Sequence, residues 1–385
     1  MIVSMLGSIA THLIVPSLPN LQREFAADYS TVQLLVSVFI IAFGATQIVA
    51  GALADAYGRR RMLLIGLLTF AIASGLCTLA STIDTLIAMR VVQGASGCFG
   101  IVLARAIMRD LSSSQDASRM LGYLAVGTSV GPMLAPLLGG LLYEALGWPG
   151  PFWFMAVFSM TAFAFAYRII PETAPSAAGL ATLRNIPGDF AALLRRGSFL
   201  LNASNICINT AMFYSFIIGG SLIASRDLGL KPAEYGLWFS MVAFGYAAGN
   251  YLSGHIGRRR SSNWMILTGS ILVAACILIM VWLHLEQFRT PLTLFLPMAG
   301  ATLASGLVMP NSLAGGLSVD IAKTGSASGL LGFMQFAAAA VFSAIAGHLV
   351  EQSTLHLLLL MLGIGVAGIF SAAMLVFCRF DIRPL

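Results

Sequence analysis

Runs of about twenty apolar residues recur along the whole chain of 385 residues, and nothing limits its fold more. A helix of that length spans the roughly 30 Å hydrocarbon core of a bilayer. Twelve such runs are read, at 2–22, 32–54, 62–81, 84–108, 118–143, 150–169, 198–223, 235–255, 263–284, 291–316, 325–350 and 355–378. They are too long and too continuously apolar for barrel strands. A water-soluble fold is excluded, because only 9% of the residues are charged while 58% are apolar, against roughly 25% charged in an ordinary soluble domain. Intrinsic disorder, which requires low hydrophobicity and high charge, is excluded on the same figures. The expected class is an all-α polytopic membrane protein with twelve transmembrane helices.

Arg and Lys set the expected orientation. With both termini in the cytoplasm, sixteen of the 21 basic residues fall on the inner side and four (Arg23, Arg226, Lys231, Arg289) on the outer, with Arg90 inside a span. Such a bias supports an even number of spans. It also accounts for the net charge of +6 without nucleic acid as a partner. The five cysteines form no CxxC and read as small buried apolar residues, so neither a zinc site nor a disulfide framework is expected. No cleavable signal peptide is evident, and the first span begins almost at Met1 without basic residues before it, which points to an upstream start.

The chain carries an internal repeat. Gly58-Arg59-Arg60-Arg61 and Gly257-Arg258-Arg259-Arg260 lie 199 residues apart, each between the second and third spans of its half. Two pseudo-symmetric six-helix bundles follow, at 1–170 and 198–385, with 171–197 as a proline-containing cytoplasmic linker.

Four groups of residues stand out as chemistry. After the second span come Gly51, Leu53, Asp55, Gly58, Arg59, Arg60 and Leu63. A tight turn with topogenic arginines explains most of them, but not Asp55. That acid can pair with the arginines or face the positive end of a neighbouring helix, such as the one starting near Ser326. In the fourth span Arg90, Gln93, Gly94 and Gly97 recur at helical spacing. An intramembrane Arg either snorkels or faces a cavity or partner. In the fifth span Gly122, Gly131, Ala135, Pro136, Gly139 and Gly140 form a small-residue stripe with a kinking proline. In the seventh, Asn202, Asn205 and Asn209 share a face, followed by Phe213 and Tyr214, with Asn311 and Gln335 elsewhere in the same half. Buried amides serve either interhelical hydrogen bonding or ligand contact.

The Gly51–Leu63 segment resembles the loop 2–3 signature of the major facilitator superfamily, with Ala56 where that family often has Arg. Arg90-Val-Val-Gln93-Gly94 resembles its fourth-helix motif. The fifth-span stripe resembles its antiporter signature, with Ala135 in place of Gly, as in bicyclomycin/chloramphenicol-resistance (Bcr/CflA) exporters. The resemblance implies the major facilitator fold and export of small lipophilic drugs or toxic compounds by proton antiport across a bacterial inner membrane. The cargo and protons are the expected partners, the protein is expected to act as a monomer, and no cofactor is needed beyond the proton gradient. It implies gating by Gly51, Asp55, Gly58, Arg59 and Arg60, and proton coupling through Arg90. His12 stands where the family usually has Asp, four residues before Pro16, and is the candidate proton carrier. Gly122, Gly131, Pro136, Gly139 and Gly140 would shape the antiporter helix. Gln93, Asn205, Asn209, Tyr214 and Gln335 are the candidate substrate contacts. Import or export of a metabolite such as an amino acid, nucleoside or sugar is the alternative. An enzyme is not expected: Gly94-Ala-Ser96-Gly97 is only a weak match to an intramembrane protease motif, and no phosphate-binding loop occurs.

Overall fold

The computed structural model describes residues 2–111, 131, 134–173, 179–257, 259–320 and 323–377. All regular elements among them are helical. In chain order they are α1 (Ile2–His12), a 3-10 turn (Val15–Ser17), α2 (Leu18–Glu24), α3 (Tyr29–Val32), α4 (Leu34–Tyr57), α5 (Arg59–Cys77) and α6 (Ile83–Leu111). Then come α7 (Leu134–Leu146), α8 (Gly150–Ile169), α9 (Gly179–Leu194), α10 (Gly197–Arg226) and α11 (Pro232–Ile256). The last are α12 (Ser262–Leu285), α13 (Pro291–Ser318), α14 (Thr324–Gln352) and α15 (Thr354–Phe377).

Nine helices among the described residues are long and apolar enough to cross a membrane. Three expected spans depart from that description, each for a reason. The first was expected as one helix over 2–22. It breaks at His12, because Pro16 has no N–H for the carbonyl four residues back and Pro19 follows it. The fifth falls mostly on residues outside those described. The eighth corresponds to α11, which has the length but carries Glu234, Asn250, Ser253 and His255.

The chain forms two compact units: Met1–Ile186 with Pro232–Gly236, and Pro187–Lys231 with Leu237–Leu385. In the first, α6 packs on α1, α4 and α5, and α5 on α8. In the second, α10 packs on α13, α14 and α15, and α12 on α13 and α15. Small residues set the closest approaches, as lipid-embedded helices require. A Cβ on Gly94 of α6 would lie 2.2 Å from the Phe39 carbonyl oxygen of α4, and one on Gly249 of α11 would lie 2.0 Å from the Leu303 oxygen of α13.

Local signals place the helix ends. Thr290 and Thr293 form a reciprocal capping box at the head of α13, with Pro291 in its first turn. Ser261 accepts the Trp264 N–H at the head of α12. The stretch 171–197, expected as a linker, contains α9. Its Asp189 accepts a hydrogen bond from Ser326 Oγ (2.9 Å) and pairs with Lys323 (3.1 Å) at the head of α14. Those two hydrogen bonds hold the Asp189 carboxyl below its ordinary range. The contact is therefore complete at neutral pH and is lost as the pH falls through that depressed value.

At the far end of the second unit, Arg226 closes α10 against the two helices that follow α13. It donates to the Val350 oxygen of α14 (3.0 Å), to Thr354 Oγ1 of α15 (3.0 Å) and to Asp227 (2.8 Å). Thr354 in turn donates to Asp227 (2.7 Å).

Gly94→Ala is expected to destabilise the first unit by about 1–3 kcal/mol, the usual cost of overpacking. Gly75→Ala, with open space around the new methyl, serves as the control. Thermal unfolding in detergent measures the difference.

Candidate functional site

The break after α1 creates the first half's polar centre. Once the chain leaves the α-helix at His12, the last carbonyls of α1 lose their regular partners and present the negative end of the helix. Arg90 of α6 fills that position, its Nη2 donating to the Ala10 oxygen (3.3 Å). Its Nε donates to the Leu35 oxygen of α4 (2.8 Å), and Nη1 to Gln93 Oε1 (3.0 Å). The guanidinium also lies 4.2 Å from the centre of the Phe39 ring. Arg90 is 0% exposed. Even at the centre of a span an Arg costs about 2.5–3.5 kcal/mol on insertion scales, Arg90 lies in the first third of α6, and hydrogen bonds to a charged group return about 1.5–3 each. Three bonds and the ring contact therefore suffice to hold the charge, with no carboxylate ligand among the described residues.

Gln93 was expected to touch substrate. Here both ends of its amide are engaged: Oε1 accepts from Arg90, and Nε2 donates to Ser74 Oγ of α5 (2.7 Å), which donates to the Phe70 oxygen (2.7 Å). The residue positions Arg90. His12, two residues beyond Ala10, is buried, and its Nδ1 lies 2.7 Å from the Ser8 oxygen. A carbonyl only accepts, so Nδ1 carries hydrogen and Nε2 is the basic nitrogen of the neutral ring.

The turn between α4 and α5 gathers a second cluster. Gly58 has φ +98°, which a side chain disfavours, and a Cβ there would lie 2.7 Å from Glu172 Oε2. Arg59 is buried. Its Nε and Nη2 donate to Asp55 Oδ1 at 3.0 and 2.9 Å, and Nη1 pairs with Asp110 at the end of α6. Glu172, just past α8, accepts the backbone N–H groups of Arg59 (2.7 Å) and Arg60 (3.2 Å). A carboxylate thus satisfies the exposed donors at the head of α5. Arg60 donates to the Tyr167 oxygen (2.7 Å) and covers the Tyr167 ring, tying α5 to the last turn of α8. Gly51 lies in α4 with open space where a Cβ would stand. Nothing among the described residues requires glycine there.

Neither Asp110 nor Glu172 was anticipated as a member of this cluster. Glu172 had a visible signal, an acid directly after a span in an otherwise basic inner segment. Asp55 was considered as a partner for the head of the helix starting near Ser326. The carboxylate found there is Asp189.

Of the fifth-span residues, Gly122 lies outside the described residues. Gly131, Pro136, Gly139 and Gly140 are buried. A Cβ on Gly139 would lie 1.8 Å from the Leu13 oxygen, so α7 rests directly on the backbone that breaks α1. Pro136 stands at the third residue of α7.

In the second unit the three amides of α10 each donate to the carbonyl four residues back: Asn202 to Ser198, Asn205 to Leu201 and Asn209 to Asn205. Asn209 Oδ1 also accepts from Ser305 of α13 (2.8 Å). Asn205 is 0% exposed, and its Oδ1 has no hydrogen-bond partner among the described residues. Tyr214 is buried edge-to-face with Phe213, while Gln335 is half-buried on α14. Asn311 donates to Ser253 of α11 (2.9 Å) and to the Leu307 oxygen, which accounts for it as interhelical glue. No group of three or more His, Cys, Asp or Glu with metal-binding geometry occurs among the described residues.

A chain whose described elements are all helical, with repeated apolar spans, a buried intramembrane Arg and a charge-tied basic turn, is a polytopic membrane protein. The sequence profile of the Major Facilitator Superfamily matches residues 1–224, and the chain belongs to that superfamily. It is 25% identical over 351 residues to multidrug resistance protein MdtL of Shewanella oneidensis, covering 90% of this chain and 87% of that one. It is 24% identical over 350 residues to the bicyclomycin resistance protein homolog of Haemophilus influenzae, covering 89% and 86%. Its fold matches the crystal structure of a bacterial homolog of the human lysosomal transporter Spinster with a TM-score of 0.75 at 16% identity, over 99% of this chain and 96% of that one. The protein is a transporter and not an enzyme.

Removing the Glu172 carboxylate uncaps the head of α5. Glu172→Ala is expected to lower stability by about 1 kcal/mol, as loss of a helix cap does. Glu172→Gln, which keeps an acceptor oxygen, loses less, and thermal unfolding of the two variants in detergent checks the order.

Proposed function

We propose that this transporter exports small, lipophilic compounds across a bacterial inner membrane in exchange for protons, by alternating access. The observation that carries the reading is Arg90: a fully buried cation in a bilayer-spanning helix, held at the broken end of α1 beside His12. Ionisable residues in such a place mark transport or proton paths. A proton taken up at His12 Nε2 would put a second positive charge on the last turn of α1, the turn whose Ala10 carbonyl holds Arg90. That charge competes for the same helix terminus and biases α1 between two positions. The relatives named for multidrug and bicyclomycin resistance support the drug class.

The second unit offers the cargo amides and aromatics without a fixed charge. Asn205 Oδ1, Asn209 and Tyr214 suit a weakly polar, largely apolar molecule. The Asp55–Arg59–Asp110 cluster would act as an inner gate, because it couples the ends of α4, α5 and α6 through one buried guanidinium. Both termini are read as cytoplasmic from the arginine distribution.

Two measurements test this reading. In vesicles holding an imposed pH gradient, substrates from a drug panel are expected to dissipate the gradient, and Arg90→Ala to reduce this to the level of vesicles without the protein. A panel of drugs that leaves the gradient intact, alongside a metabolite that collapses it, would replace drug export with metabolite transport. For His12, the expected result of His12→Ala is an altered pH dependence of transport. An unchanged pH profile removes His12 from the coupling path.

A further inference from the structure

One end of the second unit holds a pocket that the transport reading does not use. Its wall is apolar, formed by Ile223, Met280, Leu283, Leu294 and Leu358, and its rim carries Asp227, His284, Arg289 and Thr290. Beside it, sharing Leu283 and Thr293, runs an apolar groove between α12 and α13, lined also by Cys276, Ile279, Leu292 and Leu296. The groove has a volume of about 270 Å³, against about 30 Å³ for one water in the liquid. Ile279, Leu292 and Leu296 are exposed, so the groove opens on the outer surface of the bundle. Phe288, which lines the pocket, and Trp282, next to Leu283 in α12, are exposed. Aromatic residues of this kind collect at the level of lipid headgroups.

The groove has a cause in the sequence. Pro297 lies inside α13 and also lines the groove. Proline has no N–H for the carbonyl four residues back and crowds it, and that carbonyl belongs to Thr293, the residue where groove and pocket meet.

The charges at the rim are of both signs. Arg289 is exposed and makes no hydrogen bond or ion pair among the described residues. Asp227 is fixed by Arg226 and Thr354. Burial alone would raise its pKa, but those bonds and the charges of Arg226 and Arg289 hold it below the ordinary carboxylate range, so it is negative at neutral pH. The head of α13 adds the positive end of a helix beside Arg289. A cation and an anion above an apolar channel at interface level complement one kind of molecule. It has a phosphate and a primary ammonium on one head, and a hydrocarbon tail.

We propose that this pocket and groove form a binding site for a phosphatidylethanolamine-type lipid. Its phosphate sits at Arg289 and the head of α13, its ammonium faces Asp227, and one acyl chain lies in the groove. The bound lipid bridges the ends of α10, α12, α13 and α15, and so stiffens the same end that Arg226 ties together.

The test is native mass spectrometry of the purified full chain, titrated with phosphatidylethanolamine, phosphatidylglycerol and phosphatidylcholine of identical acyl chains. Phosphatidylethanolamine is expected to be retained most tightly. Arg289→Gln is expected to weaken it about fivefold, a fraction of a charge-assisted hydrogen bond. Ile279→Trp, which fills the groove, is expected to weaken all three lipids. Neither side chain holds the fold together, since one is unpartnered and the other faces lipid, and Arg195→Gln serves as a distant charge control. Equal retention of the three headgroups, preference for phosphatidylglycerol, or an Arg289→Gln protein that binds as the parent does would each overturn the proposal. The readout is independent of transport, so it stands apart from the drug-export reading.

Discussion

A guanidinium buried away from the protein surface organises the first unit. Arg90 spends its donors on the end of α1, on α4 and on Gln93, and its face on Phe39. Two of these contacts come from α4, one from α1 and one from its own helix α6, so the charge is tolerated only while α1 and α4 keep their positions against α6. Gly94 permits this, one turn along α6, by letting the α4 backbone come within reach. The helix break after His12 supplies an acceptor that a continuous helix would have used for itself. The polar centre and the packing of the bundle are therefore one arrangement. A transporter can use this, because a change at the acceptors moves helices.

The turn between α4 and α5 works by a similar rule at the membrane surface. Arg59 is the buried member, and two half-exposed carboxylates from different helix ends, Asp55 and Asp110, share it. Glu172 holds the backbone of the same turn. An exposed ion pair contributes little, whereas a buried charge that loses its partners costs several kcal/mol. The strength of this cluster therefore lies in Arg59 being enclosed. Opening the turn would expose Arg59 to water and remove that penalty, as the proposed gate role requires.

Much of the architecture could be read before the structure. The segment Gly51–Leu63, the stretch from Arg90 to Gly94 and the stripe through Pro136 resembled motifs of the superfamily that the sequence profile then matched. Asp55 and Arg59 were expected to interact, and they do, four residues apart across Gly58. Glu172 escaped because its partners are more than a hundred residues away. Gln93 was read as a substrate contact, and its hydrogen bonds to Arg90 and Ser74 could not be foreseen, because an amide facing a cavity and an amide steadying an arginine look alike in one dimension. The first span was bounded at 2–22 with Pro16 and Pro19 breaking its far end, and the helix stops at His12, four residues before Pro16.

What the order of residues determined by itself is the medium and the secondary structure. Long apolar runs must enter lipid, and in lipid a backbone without water must close its hydrogen bonds within each helix. It also determined where helices must yield, at Pro16 and Gly58, because the limits of proline and glycine are local. Which side chains meet was decided only in three dimensions. Arg90 finds Ala10 and Leu35, Arg59 finds Asp110, and Asn209 finds Ser305 because helices distant in the chain pack together. The physical reason is that a polar group buried in a bundle pairs with whatever partner the packing brings within hydrogen-bonding distance, and packing is a property of the whole.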